Sequence, residues 1–109
     1  MRRVVVTGIG ILSSIGVNKN EVLDSLRHGK SGIEYRDDFS EMGLKSQIAG
    51  SINVNLDEHI DRKLKRFMSD GIAFNYLAMK EAVEDSGLSE EELSSDRVGL
   101  IMGNGGGSP

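Results

Sequence analysis

Residues 67–86, FMSDGIAFNYLAMKEAVEDS, constrain the architecture more than any other part of this 109-residue chain. The middle of the stretch, from Ile72 to Met79, is apolar on nearly every side, which predicts a helix without a clean solvent face. A helix of this kind is normally buried in a large core or beneath a subunit interface, and a domain of this length has difficulty covering it. The stretch therefore predicts a buried helix, and it predicts that the chain is the front portion of a longer protein.

Strand-like runs surround this helix. Residues 3–8 carry three consecutive valines, and residues 97–103 are similarly apolar, so both predict strands that are buried on two faces. Residues 47–54 alternate well enough for a short third strand, and the polar residues 31–43 predict a loop. The alternation of strands and helices is typical of an α/β fold with a parallel sheet.

Helix boundaries are also visible in the sequence. A first helix should begin at a cap on Asn18 or Asn20 and end at Gly29. Gly87 should end the long helix in the left-handed conformation. Residues 89–92, Ser-Glu-Glu-Glu, form a capping box that predicts one more short helix.

Four cations stand within five positions of a chain whose formal net charge is −4; this cationic cluster consists of Arg62, Lys63, Lys65 and Arg66. Such a cluster makes a local positive field that can steer and hold an anionic partner. We expect a short helix capped by Asp57 to carry it. The alternative interpretation is a solvated helix face, partly neutralised by nearby acids at Asp57, Glu58 and Asp61.

Several kinds of site are disfavoured. The chain has no cysteine, so residues 1–109 offer neither a disulfide nor a thiolate, which is compatible with a reducing compartment. His28 and His59 lie 31 positions apart without a histidine or cysteine at ligand spacing, so we expect no metal site. No run of apolar residues approaches the ~20 that a membrane span needs. No catalytic constellation is found by this route.

Gly8 and Gly10, which follow the valine run, invite a dinucleotide-binding interpretation. That fingerprint needs a third glycine at the opening of a helix, but Ser13 occupies this position and the first helix begins later. A tight turn between buried segments is the preferred interpretation, and nucleotide binding is the least favoured.

Four segments together resemble the opening of the β-ketoacyl-acyl carrier protein synthases, the thiolase-like condensing enzymes. They are residues 2–16 (RRVVVTGIGILSSIG), 25–33 (SLRHGKSGI), 60–70 (IDRKLKRFMSD) and 97–109 (RVGLIMGNGGGSP). The resemblance covers the whole chain but well under half of a family member. The motifs are most similar to the type I branch, and the type II branch is the nearest competitor.

The resemblance implies a fold, a reaction and several site residues. The fold would be the N-terminal part of a five-layered α-β-α-β-α, dimeric architecture, in which residues 1–109 hold no complete second domain. The reaction is the condensation of an acyl thioester with malonyl-acyl carrier protein in the cytoplasm, with no nucleic acid involved. Its catalytic cysteine and two histidines would lie beyond Pro109, so this segment would hold no catalytic residue.

Two features of the family map onto this segment. Arg62, Lys63 and Arg66 match a patch that docks the acidic carrier protein, whereas Lys65 is an extra cation. Gly107 matches a position lining the acyl pocket. The resemblance implies no resident cofactor, because phosphopantetheine arrives on the carrier protein. A non-enzymatic module that binds an acidic protein through residues 62–66 is the alternative function.

Overall fold

The computed structural model describes residues 1–103 and 105. Within this range the chain forms two short strands and six helices. In chain order they are α1 (Lys19–His28), β1 (Ile33–Tyr35), α2 (Asp37–Glu41), β2 (Ile48–Gly50), α3 (Leu56–His59), α4 (Arg62–Lys65), α5 (Asp70–Ser86) and α6 (Glu90–Leu93).

The helix boundaries follow local sequence signals closely. The side chain of Asn18 caps α1 by accepting hydrogen bonds from the N–H groups of Asn20 and Glu21 in the first turn. Gly29 and Gly87 end α1 and α5 with φ of 62° and 70°, in the left-handed region that favours glycine. Ser89 and Glu92 form the predicted capping box of α6. These predictions are confirmed.

The sheet differs from the prediction. In the described part of the chain, β1 pairs antiparallel with β2, with Ile33 opposite Gly50, and no parallel sheet forms. Residues 3–8 and 97–103, predicted as buried strands, are not paired, and Val4 is 95% exposed. A strand needs a neighbour for its N–H and C=O groups, and in this structure neither segment meets one. The third predicted strand is shorter than expected and is reduced to β2.

Residues 31–43, predicted as a loop, contain β1 and α2. Arg36 organises this segment, because its guanidinium donates to both carboxylate oxygens of Asp38 and to the hydroxyl of Ser51. The hydrogen bond and charge of Arg36 lower the pKa of Asp38. The bidentate pair with Asp38 orients the guanidinium, and the hydrogen bond to Ser51 then ties the start of α2 to the residue that follows β2.

The hydrophobic core lies between α3 and α5. Leu56, Ile60 and Ala73 are buried and in mutual contact, and Ala73 is only 1% exposed. Partly buried side chains pack around them, namely Val54, Met68, Phe74 and Leu77. This core fixes the segment between Ile60 and Met68, which carries the cationic cluster, at both of its ends.

The N-terminal loop crosses α5 with almost no space between the two backbones. A Cβ atom on Gly10 would lie 2.6 Å from the backbone nitrogen of Ala82, and one on Gly8 would lie 2.8 Å from that of Ser86. We call this contact the glycine crossing. The prediction of a tight turn at these glycines is wrong: they lack side chains because the loop packs directly on the helix backbone.

Two carboxylates on α5 hold the same loop. Glu81 and Asp85 accept the backbone N–H groups of Ile11 and Ile9 at 2.9 and 3.0 Å. Glu81 also accepts the N–H of Lys19 at 2.8 Å, and the ammonium of Lys19 pairs with Asp85. The hydrogen bond from Lys19, followed by the one from Ile9, lowers the pKa of Asp85. One helix thus fastens both the N-terminal loop and the start of α1.

The opposite side of α5 is open. Ile72, Tyr76 and Met79, spaced along one face of the helix, are all exposed, so the prediction of a fully buried helix is not met in this chain. The Cα radius of gyration is 17.0 Å, compared with about 13 Å for a compact domain of this length. The apolar residues are therefore spread over an open shape.

Candidate functional site

Three residues of the cationic cluster, Arg62, Lys63 and Lys65, lie on α4, and the fourth, Arg66, caps the C-terminal end of that helix. Asp61 caps this helix, since its carboxylate accepts the N–H of Lys63 at 2.8 Å. The prediction that Asp57 caps the helix carrying the cluster is wrong. Asn55 caps α3, which ends before the cluster begins, and Asp61 opens a separate helix.

One of the four cations is paired. The Lys65 ammonium lies 2.7 Å from the Asp57 carboxylate on α3, and its side chain is 30% exposed, compared with 71% for Asp57. Among the acids expected to neutralise the cluster, Asp57 alone forms an ion pair with it in the described residues. Asp61 is used as a backbone cap, and the Glu58 carboxylate accepts a 2.7 Å hydrogen bond from the amide of Asn55.

The three remaining cations are exposed and form what we call the docking face: Arg62, Lys63 and Arg66. In the described part of the chain, none of them forms an ion pair with a carboxylate. The guanidinium of Arg66 lies 5.2 Å from the ring centroid of Phe67, which is 77% exposed. A cation above an aromatic ring is held in place without losing its charge.

The core positions the docking face. Ile60, which precedes the Asp61 cap of α4, is 4% exposed, and Met68, two residues beyond the docking face, packs against the same cluster of apolar side chains. A helix of four residues has little stability of its own. The two apolar anchors and the Asp61 cap therefore keep the three cations on one exposed corner of the molecule.

The other residues considered from sequence lie apart from this corner. His28 accompanies Asp24 on α1, with its Nδ1 atom 3.1 Å from the carboxylate. His59 lines an open depression with Lys80 and Glu84. No group of three or more potential metal ligands occurs among residues 1–103 and 105. Gly107, predicted to line an acyl pocket, lies outside the described residues.

The sequence indicated that Asp57 could neutralise part of the cluster, but it did not indicate that Lys65 is the partner or that a ring lies beneath Arg66. Lys65 and Asp57 lie eight positions apart on separate helices, a spacing that no single-helix pattern would select. Arg66 and Phe67 are adjacent in the chain, and an exposed aromatic beside a cation is a signal that could have been noticed. Over the described residues, no helix combines the length and apolarity needed to cross a membrane.

Comparison with known proteins identifies the family. Residues 1–108 match the model of the β-ketoacyl synthase N-terminal domain. The 3-oxoacyl-[acyl-carrier-protein] synthase 1 of Haemophilus influenzae is 58% identical over 108 residues, which cover 99% of this chain and 27% of that protein. The synthase 1 of Escherichia coli K12 is 48% identical over 110 residues, covering all of this chain and 27% of the relative.

A more distant match is the 3-oxoacyl-[acyl-carrier-protein] synthase 2 of Staphylococcus aureus. It is 34% identical over 105 residues, which cover 95% of this chain and 25% of the relative. The chain thus spans about a quarter of the length of the curated relatives that it matches. The resemblance read from the four sequence segments, including its similarity to the type 1 synthases, is confirmed.

Proposed function

We propose that this chain, which belongs to the β-ketoacyl synthase family, is part of a condensing enzyme. That enzyme would elongate fatty acyl chains in the cytoplasm. The observation that carries the proposal is the family match over residues 1–108. The names of the type 1 relatives, which include an acyl carrier protein, support the same substrate class.

In the proposed reaction, an acyl group is held as a cysteine thioester. A malonyl group on the carrier protein loses carbon dioxide, and the resulting enolate attacks the thioester carbonyl. A carbon–carbon bond forms, the cysteine thiol is released, and the acyl chain has grown by two carbons. Residues 1–109 contain no cysteine, so the nucleophile would belong to another part of the enzyme. The family resemblance implies that the two histidines that stabilise the oxyanions also lie there and are not His28 and His59.

This part of the enzyme would recruit the carrier protein. The docking face presents three exposed cations on a chain of net charge −4, and the partner that the family implies is acidic along its recognition helix. Complementary charges of this kind set the encounter rate and orientation and weaken as salt is added. We expect no resident cofactor, since the phosphopantetheine arm arrives on the carrier protein.

Two further assignments belong to the same proposal. Gly107 would line the acyl pocket, where the missing side chain leaves room for the fatty chain. Replacing it with isoleucine should shorten the longest acyl chain that is accepted.

We also propose a homodimer, and the exposed apolar face of α5 supports this because it offers a surface that an assembly could cover.

The docking assignment is tested in the full-length protein with Lys63→Glu and a matched control, Lys45→Glu. Both lysines are exposed, and both changes alter the net charge equally. Lys63→Glu should raise KM for malonyl-carrier protein about tenfold with little change in kcat, because it replaces an attraction by a repulsion. Lys45→Glu should change KM much less. Turnover of a malonyl thioester of a small thiol should be unchanged in both variants.

The outcomes separate the candidate functions. Equal loss on carrier-bound and small substrates would mean that the cluster has a structural role. Tight binding of an acidic protein through residues 62–66, with no condensation by the full-length protein, would favour the non-enzymatic module. One observation supports this second candidate function. In the described structure, three cations are exposed and unpaired, namely Arg62, Lys63 and Arg66.

A further inference from the structure

We infer that Asp57 is a specificity-determining residue, which limits the number of cations that α4 offers to a partner by pairing with Lys65. The inference rests on the proposed function, because it assumes that the docking face meets an acidic carrier protein. The sequence provides four cations within five positions, but the structure leaves three of them exposed and unpaired in its described part.

The corner between α3 and α4 positions the Asp57–Lys65 ion pair. Asp57 lies in the first turn of α3 and Lys65 in the last turn of α4, so the contact bridges two helices. The corner between them contains Ile60, which is 4% exposed and packs in the core, and Asp61, which caps α4. Since both helices are fixed at this corner, the ammonium and the carboxylate are brought to 2.7 Å without a long flexible loop between them.

The consequence of the pair lies in the electrostatic field rather than in stability. An ion pair at an exposed surface contributes little to folding. It does neutralise one of four positive charges, and it directs the Lys65 ammonium toward α3. The remaining three cations, on the docking face, then present a smaller positive field to an approaching anion.

A smaller positive field favours binding of a partner with matching acidic residues over binding of an arbitrary polyanion. Any dense polyanion, including nucleic acid, gains affinity with every free cation, because that attraction requires no shape complementarity. A partner with a few acidic residues at fixed positions needs only the cations that face it. Asp57 thus reduces polyanion binding more than carrier binding.

The test uses the full-length protein with Asp57→Asn and the matched control Glu58→Gln. Each change removes one negative charge from α3, but Glu58 accepts a hydrogen bond from Asn55 and pairs with no cation among the described residues. The dissociation constants for acyl carrier protein and for a single-stranded DNA oligonucleotide are measured at low and at high salt. Thermal melting verifies that each variant is folded.

Asp57→Asn should tighten carrier binding about threefold at low salt, the effect expected of one exposed charge pair, and should tighten DNA binding more. Glu58→Gln should have a smaller effect on both, and the differences should shrink at high salt. In a Lys65→Met background, Asp57→Asn should act no more strongly than Glu58→Gln. Equal effects of the two carboxylate changes in both backgrounds would overturn the inference.

A second comparison does not depend on the folding of Asp57→Asn. If Lys65 is withdrawn by its pair, Lys65→Met should weaken carrier binding less than Lys63→Met, although both remove one positive charge. Equal weakening would show that Lys65 meets the partner and would overturn the inference. Failure of the proposed function looks different: in that case charge reversal at Lys63 leaves carrier binding unchanged, whatever Asp57 does.

Discussion

The glycine crossing and the docking face are built by opposite means. At the crossing, Gly8 and Gly10 bring one backbone onto another, and the contact exists because side chains are absent. On the docking face, Arg62, Lys63 and Arg66 extend into solvent, and the surface consists of side chains alone. The first region should tolerate almost no substitution without loss of stability. The second should tolerate many substitutions in folding and few in binding.

The strongest way to break the crossing is Gly10→Ala. The new methyl group would overlap the backbone of Ala78 and Ala82, so the loop or α5 must move. We expect a loss of about 3 kcal/mol in the free energy of unfolding, the upper range for overpacking, measured by chemical denaturation of the full-length protein.

The matched control is Gly71→Ala, within α5 itself. A Cβ on Gly71 meets nothing within 4 Å, so this change should be neutral or stabilise the protein by up to about 1 kcal/mol. Similar destabilisation by both substitutions would show that the close approach at Gly10 is not what the protein depends on.

The second prediction concerns the support of the docking face. Asp61→Ala removes the cap of α4 and should cost about 1 kcal/mol in stability, whereas Asp61→Asn keeps a capping oxygen and should cost less. Both variants remove the same charge. A higher KM for carrier-bound substrate in Asp61→Ala than in Asp61→Asn would therefore report the order of α4. Identical KM values would mean that the cations dock without an ordered helix.

The smallest expected effect is the pH dependence of the contact at Asp85. Hydrogen bonds from Lys19 and Ile9 lower the pKa of Asp85 in the folded protein, so this carboxylate stabilises the fold above its unfolded pKa of about 3.9. That stabilisation is lost as the pH falls through the lower folded value. Asp85→Asn should therefore be less stable than wild type at pH 7, and the gap should narrow once the pH falls below the unfolded pKa of about 3.9. A gap that stays constant over this range would contradict the assigned role.

The sequence predicts several helix ends and the exposed cations correctly, because both depend on local properties of the chain. Asn18, Gly29, Gly87 and the Ser89–Glu92 box act within one turn of backbone, so their signals are complete in a few residues. The exposure of Arg62, Lys63 and Arg66 follows from their charge. Charge alone pointed to all four cations of the cluster, and the family resemblance selected Arg62, Lys63 and Arg66 from them; their binding role stays a prediction.

The remainder depends on contacts between distant segments. Residues 3–8 have the composition of a strand, but strand formation requires a partner that composition does not supply. The glycine crossing joins residue 10 to residue 82, and neither Gly8 and Gly10 nor the small residues of α5 indicate by themselves that the two segments meet. The pairing of Lys65 with Asp57 depends in turn on how α3 and α4 meet.

The two carboxylates on α5 have a consequence for hydrogen exchange. The amides of Ile9, Ile11 and Lys19 lie outside the described sheet and, apart from Lys19, outside any helix, yet all three donate to Glu81 or Asp85. Their protons can be replaced by deuterium only when the hydrogen bonds to these carboxylates break. The three amides should thus exchange together, at a rate set by one opening event along a single helix, while the amides of neighbouring residues in the same loop exchange faster.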